Sequence, residues 1–217
     1  MSVPDLRFGD RAAADVFLAS LNTTAVAGVD EVGKGPLAGP VVVACVLLPP
    51  DHKIVGIKDS KQLSAKRRQV LADQIMECSC WGIGSRDNLA VDQLNIHRAT
   101  KQAAADAVWE CIAKGASIRH LLCDGGLGLQ EYVPFPSHAI IKGDNWFECI
   151  GAASIIAKVF RDNQMAVYHE LWPEYRFCGN QGYGTKNHIE AILKYGMTPI
   201  HRRSFGVCRG AKERKVE

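Results

Sequence analysis

No stretch of this chain is apolar for long enough to cross a bilayer. The longest run, residues 41–48, is halted by Pro49 and Pro50 and has the length of a buried strand. The first residues lack the uninterrupted apolar segment and small-residue cleavage site of a secretory signal, because Asp5, Arg7, Asp10, Arg11 and Asp15 interrupt them. A cytoplasmic protein is therefore expected. There is also no Cys-x-x-Cys or His-x-x-x-His spacing, and the only close pair among the eight cysteines is Cys78-x-Cys80. That argues against a disulfide framework and a zinc site alike, so the thiols are expected to be free and mostly buried. Net charge is small as well: a formal +3 cannot by itself indicate nucleic-acid binding. Finally, no internal repeat, low-complexity segment or compositional break divides the 217 residues, 47% of which are hydrophobic. One domain spanning residues 1–217 is the expectation.

The distribution of charge says more than its sum. Lys58, Lys61, Lys66, Arg67 and Arg68 form one basic stretch, and Arg202, Arg203, Arg209, Lys212, Arg214 and Lys215 form another near the C-terminus. Each alone reads as a solvated surface; together they fit a surface that tracks phosphates. Periodicity predicts a short helix near residues 12–21, a strand over 24–29 and a second over 39–48, the two strands pairing as a hairpin across the Gly33-Lys34-Gly35-Pro36 turn. Ser64 is a good N-cap for a helix through Met76, followed by a strand over 81–85 and alanine-rich helical text over 95–113. Short apolar runs at 118–123 and 139–141 stop at Asp124-Gly125 and Lys142-Gly143-Asp144, and helices are predicted over 146–170 and 186–195. A hairpin followed by alternating helix and strand implies an α/β fold with a mixed central sheet flanked by helices.

Asp30, Glu31, Asp124 and Asp144 all follow strand-like runs, so a central sheet can bring them to one edge, where sites in open α/β sheets collect. An Asp before Gly can simply make a turn, but adjacent acids after a buried strand repel one another for no structural gain. Crowded carboxylates are most simply compensated by hard divalent cations, Mg²⁺ or Mn²⁺, and a pair of such ions suits phosphodiester hydrolysis. The run Gly28 to Lys34 imitates the start of a P-loop, yet Gly35 stands where a Ser or Thr would hold Mg²⁺, and Asp30 and Glu31 would face the phosphates. Triphosphate binding is set aside. Gly33 and Gly35 are better suited to close backbone approach to a ligand, including a ribose 2′-hydroxyl. Lys158 and Arg161 share a helix face that reads as solvated, and His188 and His201 read as loop or surface histidines outside the catalytic set.

Taken in order, the segment Val26-Ala-Gly-Val-Asp-Glu-Val-Gly-Lys-Gly-Pro-Leu-Ala-Gly-Pro40, Asp59-Ser-Lys61, Asp124-Gly, Lys142-Gly-Asp144, Ala152-Ala-Ser-Ile-Ile-Ala-Lys158, Arg161-Asp162, Gly182-Tyr-Gly-Thr185 and His201-Arg-Arg-Ser-Phe205 resemble the type 2 ribonucleases H, specifically bacterial ribonuclease HII. The resemblance implies an RNase H-like fold with a C-terminal helical segment. It implies an endonuclease that hydrolyses the RNA strand of RNA–DNA hybrids and cuts at ribonucleotides embedded in duplex DNA, leaving 3′-hydroxyl and 5′-phosphate ends. It places the metal-binding catalytic carboxylates at Asp30, Glu31, Asp124 and Asp144, with Asp30 bridging two ions. Substrate binding is implied for Gly33, Lys34, Gly35 and Tyr183, and phosphate contact for Ser60 and Lys61. Lys34 departs from the family's usual Arg, exchanging a planar fork for a point charge.

Ribonuclease HIII shares the acidic pattern but resembles longer proteins with an extra N-terminal domain; only 25 residues precede Val26 here, and the turn is closer to the HII form. A catalytically silent hybrid-binding module is the reading from another class, and the intact carboxylate set argues against it. No heptad or apolar tail suggests self-association, so a monomer is expected.

Overall fold

A computed structural model describes residues 6–57 and 63–214. The strands are β1 (Val26–Val32), β2 (Val41–Leu47), β3 (Cys80–Arg86), β4 (His120–Asp124) and β5 (Ser137–Ile140). They form one sheet in the order β3-β2-β1-β4-β5. β1 is antiparallel to β2 and parallel to β4, so the sheet is mixed, as the sequence predicts. The helices are α1 (Arg11–Ser20), α2 (Ala65–Cys78), α3 (Asn88–Leu94), α4 (Ile96–Ala113), α5 (Glu148–Leu171), the short α6 (Phe177–Asn180) and α7 (Lys186–Tyr195). Ser64 caps α2 as expected, its hydroxyl accepting from the Arg67 N–H at 3.3 Å.

Alternation along the strands gives each face of the sheet its own core. Ala27, Val29, Val43, Cys45, Leu121 and Cys123 pack with Ala103, Ala104, Ala107 and Val108 of α4. Val42, Ala44 and Val46 pack with Leu71 and Ile75 of α2 and Ala152, Ile155 and Ile156 of α5. Each buried aliphatic side chain of this kind contributes roughly 1.5–3 kcal/mol. Helix backbones come unusually close to the sheet at Gly28, Gly82 and Gly84. A Cβ on Gly84 would lie 1.9 Å from the Ala103 carbonyl oxygen, and one on Gly28 would lie 2.1 Å from the Cys149 carbonyl carbon. Gly28 is therefore a packing residue inside β1, which removes the P-loop reading on structural grounds.

The helix expected over 95–113 is α4, capped by the Asn95 side chain. The short α3 that precedes it, capped by Asp87, is not anticipated by the sequence reading, and the φ of 65° at Asn95 separates the two helices. The first strand also does not stop before the acids but runs through to Val32, so Asp30 and Glu31 point to opposite faces of the sheet. The cysteines among the described residues are free, with Cys45, Cys111, Cys123 and Cys208 buried but Cys78 and Cys178 exposed. No helix of the described residues is long and apolar enough to cross a membrane.

Candidate active site

Strand register places the acids. Val29 of β1 lies opposite Cys123 of β4, so the next residues along these parallel strands, Asp30 and Asp124, stand side by side. The Gly143 N–H donates to Asp124 Oδ1 at 2.6 Å and ties the end of β4 to the turn Gly143–Asn145, which carries the buried Asp144. On the other side of β1, Asp30 meets α5: Ser154 hydrogen-bonds its carboxylate, and the Glu31 N–H donates to Asp30 Oδ1 at 2.7 Å.

Burial, then the negative charges of Glu31 and Asp124, push the Asp30 carboxyl well above the usual carboxylate range, with Ser154 working against that shift. Glu31 is raised mainly by burial, opposed by the Lys34 ammonium that pairs with its Oε1. Its Oε2 is buried and has no hydrogen-bond donor among the described residues. Lys34, expected at the substrate, thus turns its charge toward an acid. Among the described residues no three His, Cys, Asp or Glu side chains already stand in an arrangement that would hold a metal ion. The fold brings Asp30, Glu31 and Asp124 within electrostatic reach and joins Asp144 to them through Asp124, but leaves the side chains short of a finished cage. The donor set nonetheless fits a hard divalent cation: oxygen donors only, mutually repelling, one of them a buried oxygen lacking a donor.

Beside the acids lies the glycine turn. Gly33 has φ of 93°, and a Cβ there would meet the Arg161 Nε at 2.4 Å, so no larger residue fits. A Cβ on Gly35 would sit 3.4 Å from Cε1 of Tyr183, which places the half-exposed Tyr183 ring against the turn. Ser60 and Lys61, with Asp59, lie outside the described residues.

Four residues read as surface groups prove to be interior. Arg161 and Arg202 are fully buried instead of forming a solvated face or a phosphate-tracking cluster. Their guanidiniums donate to main-chain carbonyls of the turn region, Arg161 to Pro40 and Ala38, Arg202 to Gly33, Lys34, Pro36 and Gly39. Burial, and Arg161 after it, lowers Arg202 to about 10. His188 and His201 are buried too, with their Nε2 atoms 3.0 Å apart. The Thr198 N–H donates to His201 Nδ1 at 2.9 Å, so neutral His201 carries its proton on Nε2 and donates to His188. His188 must then be protonated on Nδ1, which donates to the Tyr183 carbonyl at 2.8 Å. The pair is a relay of fixed tautomers behind the Tyr183 loop and not a catalytic dyad.

Residues 27–208 match the family model for ribonuclease HII. The chain is 50% identical over 181 residues to the ribonuclease HII of Enterococcus faecalis, covering 83% of this chain and 69% of that protein. It is equally 50% identical over 181 residues to the ribonuclease HII of Lactobacillus johnsonii, covering 83% and 70%. Among solved structures, the ribonuclease HII of Archaeoglobus fulgidus in its complex with PCNA superposes with a TM-score of 0.73 at 25% identity, covering 85% of this chain and 96% of that one. The Mn²⁺ complex of Bst-RNase HIII shares the fold, with a TM-score of 0.68 at 22% identity over 85% of this chain and 68% of that one. These likenesses bear out the RNase H-like α/β architecture expected from sequence.

Proposed function

Because the chain belongs to the ribonuclease HII family, and is accordingly an endonucleolytic ribonuclease H, we propose that it hydrolyses the RNA strand of RNA–DNA hybrids and also cuts at single ribonucleotides embedded in duplex DNA. The observation that carries the second part is the contact between the glycine turn and Tyr183. A backbone turn with its amides exposed can hydrogen-bond a ribose 2′-hydroxyl, and an adjacent exposed ring can pack on the neighbouring sugar, which together define a junction and not a continuous RNA tract.

Asp30, Glu31, Asp124 and Asp144 would hold Mg²⁺ or Mn²⁺. When bound, the ions supply Lewis-acid stabilisation of charge and an activated water. The chain's own contribution is positional. Parallel register fixes the spacing of Asp30 and Asp124. The Gly143 N–H orients Asp124, and the Glu31 N–H with Ser154 orients Asp30. Lys34 favours the charged form of Glu31, against the effect of burial. Gly33, Lys34, Gly35 and Tyr183 bind the ribonucleotide and its neighbour, and Ser60 and Lys61 contact phosphate. We place the enzyme in the cytoplasm as a monomer, a reading that rests on the absence of any self-association signal in its sequence and on its nucleic-acid substrate.

The test is a duplex with one ribonucleotide, incubated with the protein and Mg²⁺ or Mn²⁺ and analysed for its ends. A single cut at the ribonucleotide, leaving 3′-hydroxyl and 5′-phosphate termini, is the expected result. Cleavage of long hybrids with none at the single ribonucleotide would remove the junction reading, and binding without cleavage of either would favour a silent hybrid-binding module.

A further inference from the structure

We propose that Arg161 and Arg202 are positioning residues for ribonucleotide selectivity, acting as a buried double clamp that fixes the Gly33–Gly35 turn against the Tyr183 loop. The inference rests on the assignment of that turn and Tyr183 to ribose recognition, and adds the residues that hold them in register. A guanidinium removed from water costs several kcal/mol unless its donors are satisfied. Arg202 satisfies all of its N–H groups on main-chain oxygens: Nε to Gly39 at 3.1 Å, Nη1 to Lys34 at 3.0 Å and Pro36 at 2.9 Å, Nη2 to Gly33 at 2.6 Å and Gly39 at 2.9 Å. Arg161 takes Pro40 at 2.9 Å and Ala38 at 3.2 Å, and reaches across to Gln181 at 2.9 Å.

The consequence is geometric. In a trans peptide the carbonyl and the following N–H point in opposite directions. With the Gly33 and Lys34 carbonyls drawn inward onto Arg202, the N–H groups of Lys34 and Gly35 face away from the guanidinium, next to one another. Those are the donors a ribose oxygen needs. Arg161 meanwhile binds both partners of the recognition surface, the turn through Ala38 and Pro40 and the tyrosine loop through Gln181. Backbone contact between the two loops follows: the Leu37 N–H donates to the Gly182 carbonyl at 2.8 Å, and Gly182, with φ of 81°, has no room for a Cβ beside the Ala38 oxygen. The segment carrying Arg202 is itself anchored, since Asn88 of α3 donates to the Pro199 and His201 carbonyls at 2.9 and 3.0 Å. Turn and tyrosine therefore move as one body.

Lysine keeps the charge of either arginine but cannot span carbonyls facing different ways from a single nitrogen. Arg202→Lys and Arg161→Lys are tested for binding in Ca²⁺ to a duplex with one ribonucleotide and to the same duplex in all-DNA form, with folding checked by thermal melting. The wild type prefers the ribonucleotide duplex. Each variant is expected to lose roughly tenfold or more of that preference, as a misplaced recognition group does, while its affinity for the all-DNA duplex holds. Equal losses on both duplexes, or a folded variant with the full preference, overturn the clamp. No preference in the wild type overturns instead the assignment of the turn to ribose reading. Should neither variant fold, amide exchange in the wild type decides. The Leu37 and Gly39 amides, bonded to the Gly182 and Ile200 carbonyls, should exchange as slowly in the free protein as in the complex. Fast exchange there in the free protein overturns a preset clamp.

Discussion

Acidification should weaken the fold through His201, by an amount that can be worked out. His201 is held neutral, its pKa lowered to about 3 by burial and then by His188. The unfolded chain's histidine titrates near 6.5, so between these values the unfolded state binds the extra proton and the folded state does not. Stability contributed by neutral His201 is therefore complete above about pH 7 and is lost as pH falls. From pH 7 to pH 5 the loss is roughly 1.5 units at 1.36 kcal/mol each, about 2 kcal/mol. For a domain of this size that lowers the melting temperature by roughly 4–8 °C. Asp30 and Glu31 work in the opposite direction, because their raised pKa values make the folded state the better proton binder as pH falls. The contribution is isolated by melting the wild type and His201→Gln side by side at both pH values, since Gln offers a donor and an acceptor but does not titrate. The wild type should lose about 2 kcal/mol more than the variant. Parallel losses would refute a neutral, buried His201 and with it the tautomer chain that ends on the Tyr183 carbonyl.

Tyr183→Ala should reduce cutting at a single embedded ribonucleotide by roughly tenfold, on the scale of one lost aromatic packing contact, and affect long hybrids less; equal losses in kcat/KM on both substrates would count against the junction role. Gly84→Ala should cost at least 1–3 kcal/mol by denaturant titration, because its Cβ would lie 1.9 Å from the Ala103 oxygen. Gly126→Ala, with nothing within 4 Å, should be nearly neutral.

The hairpin of β1 and β2, the cap of α2 and the span of α7 were all readable in sequence, since turn glycines, a cap hydroxyl and apolar period are local signals. The acids were readable as strand-end residues for the same reason, though not the fact that Asp30 and Glu31 lie within β1 and face opposite ways. Arg161, Arg202, His188 and His201 were misjudged because nothing local distinguishes a buried cation from a solvated one. Arg202 meets its acceptors 163–169 residues away, and those acceptors are main-chain oxygens that every residue carries. The start of α4 at Asn95 was readable, but the seven-residue α3 before it was not, since so short a helix leaves little periodic signal.

Asp30 concentrates the central claim that the carboxylate edge is a metal-dependent nuclease centre, since burial and its acidic neighbours make its charge costly to the fold. The decisive measurement is hybrid and single-ribonucleotide cleavage in Mn²⁺ by Asp30→Asn, with the melting temperature recorded with and without the ion. Cleavage should be lost while the ion-free melting temperature rises by roughly 2–4 °C, for a stability gain on the order of 1 kcal/mol, and the Mn²⁺-dependent stabilisation seen in the wild type should shrink. A folded Asp30→Asn protein that still cleaves, or whose Mn²⁺ response matches the wild type, would contradict the assignment.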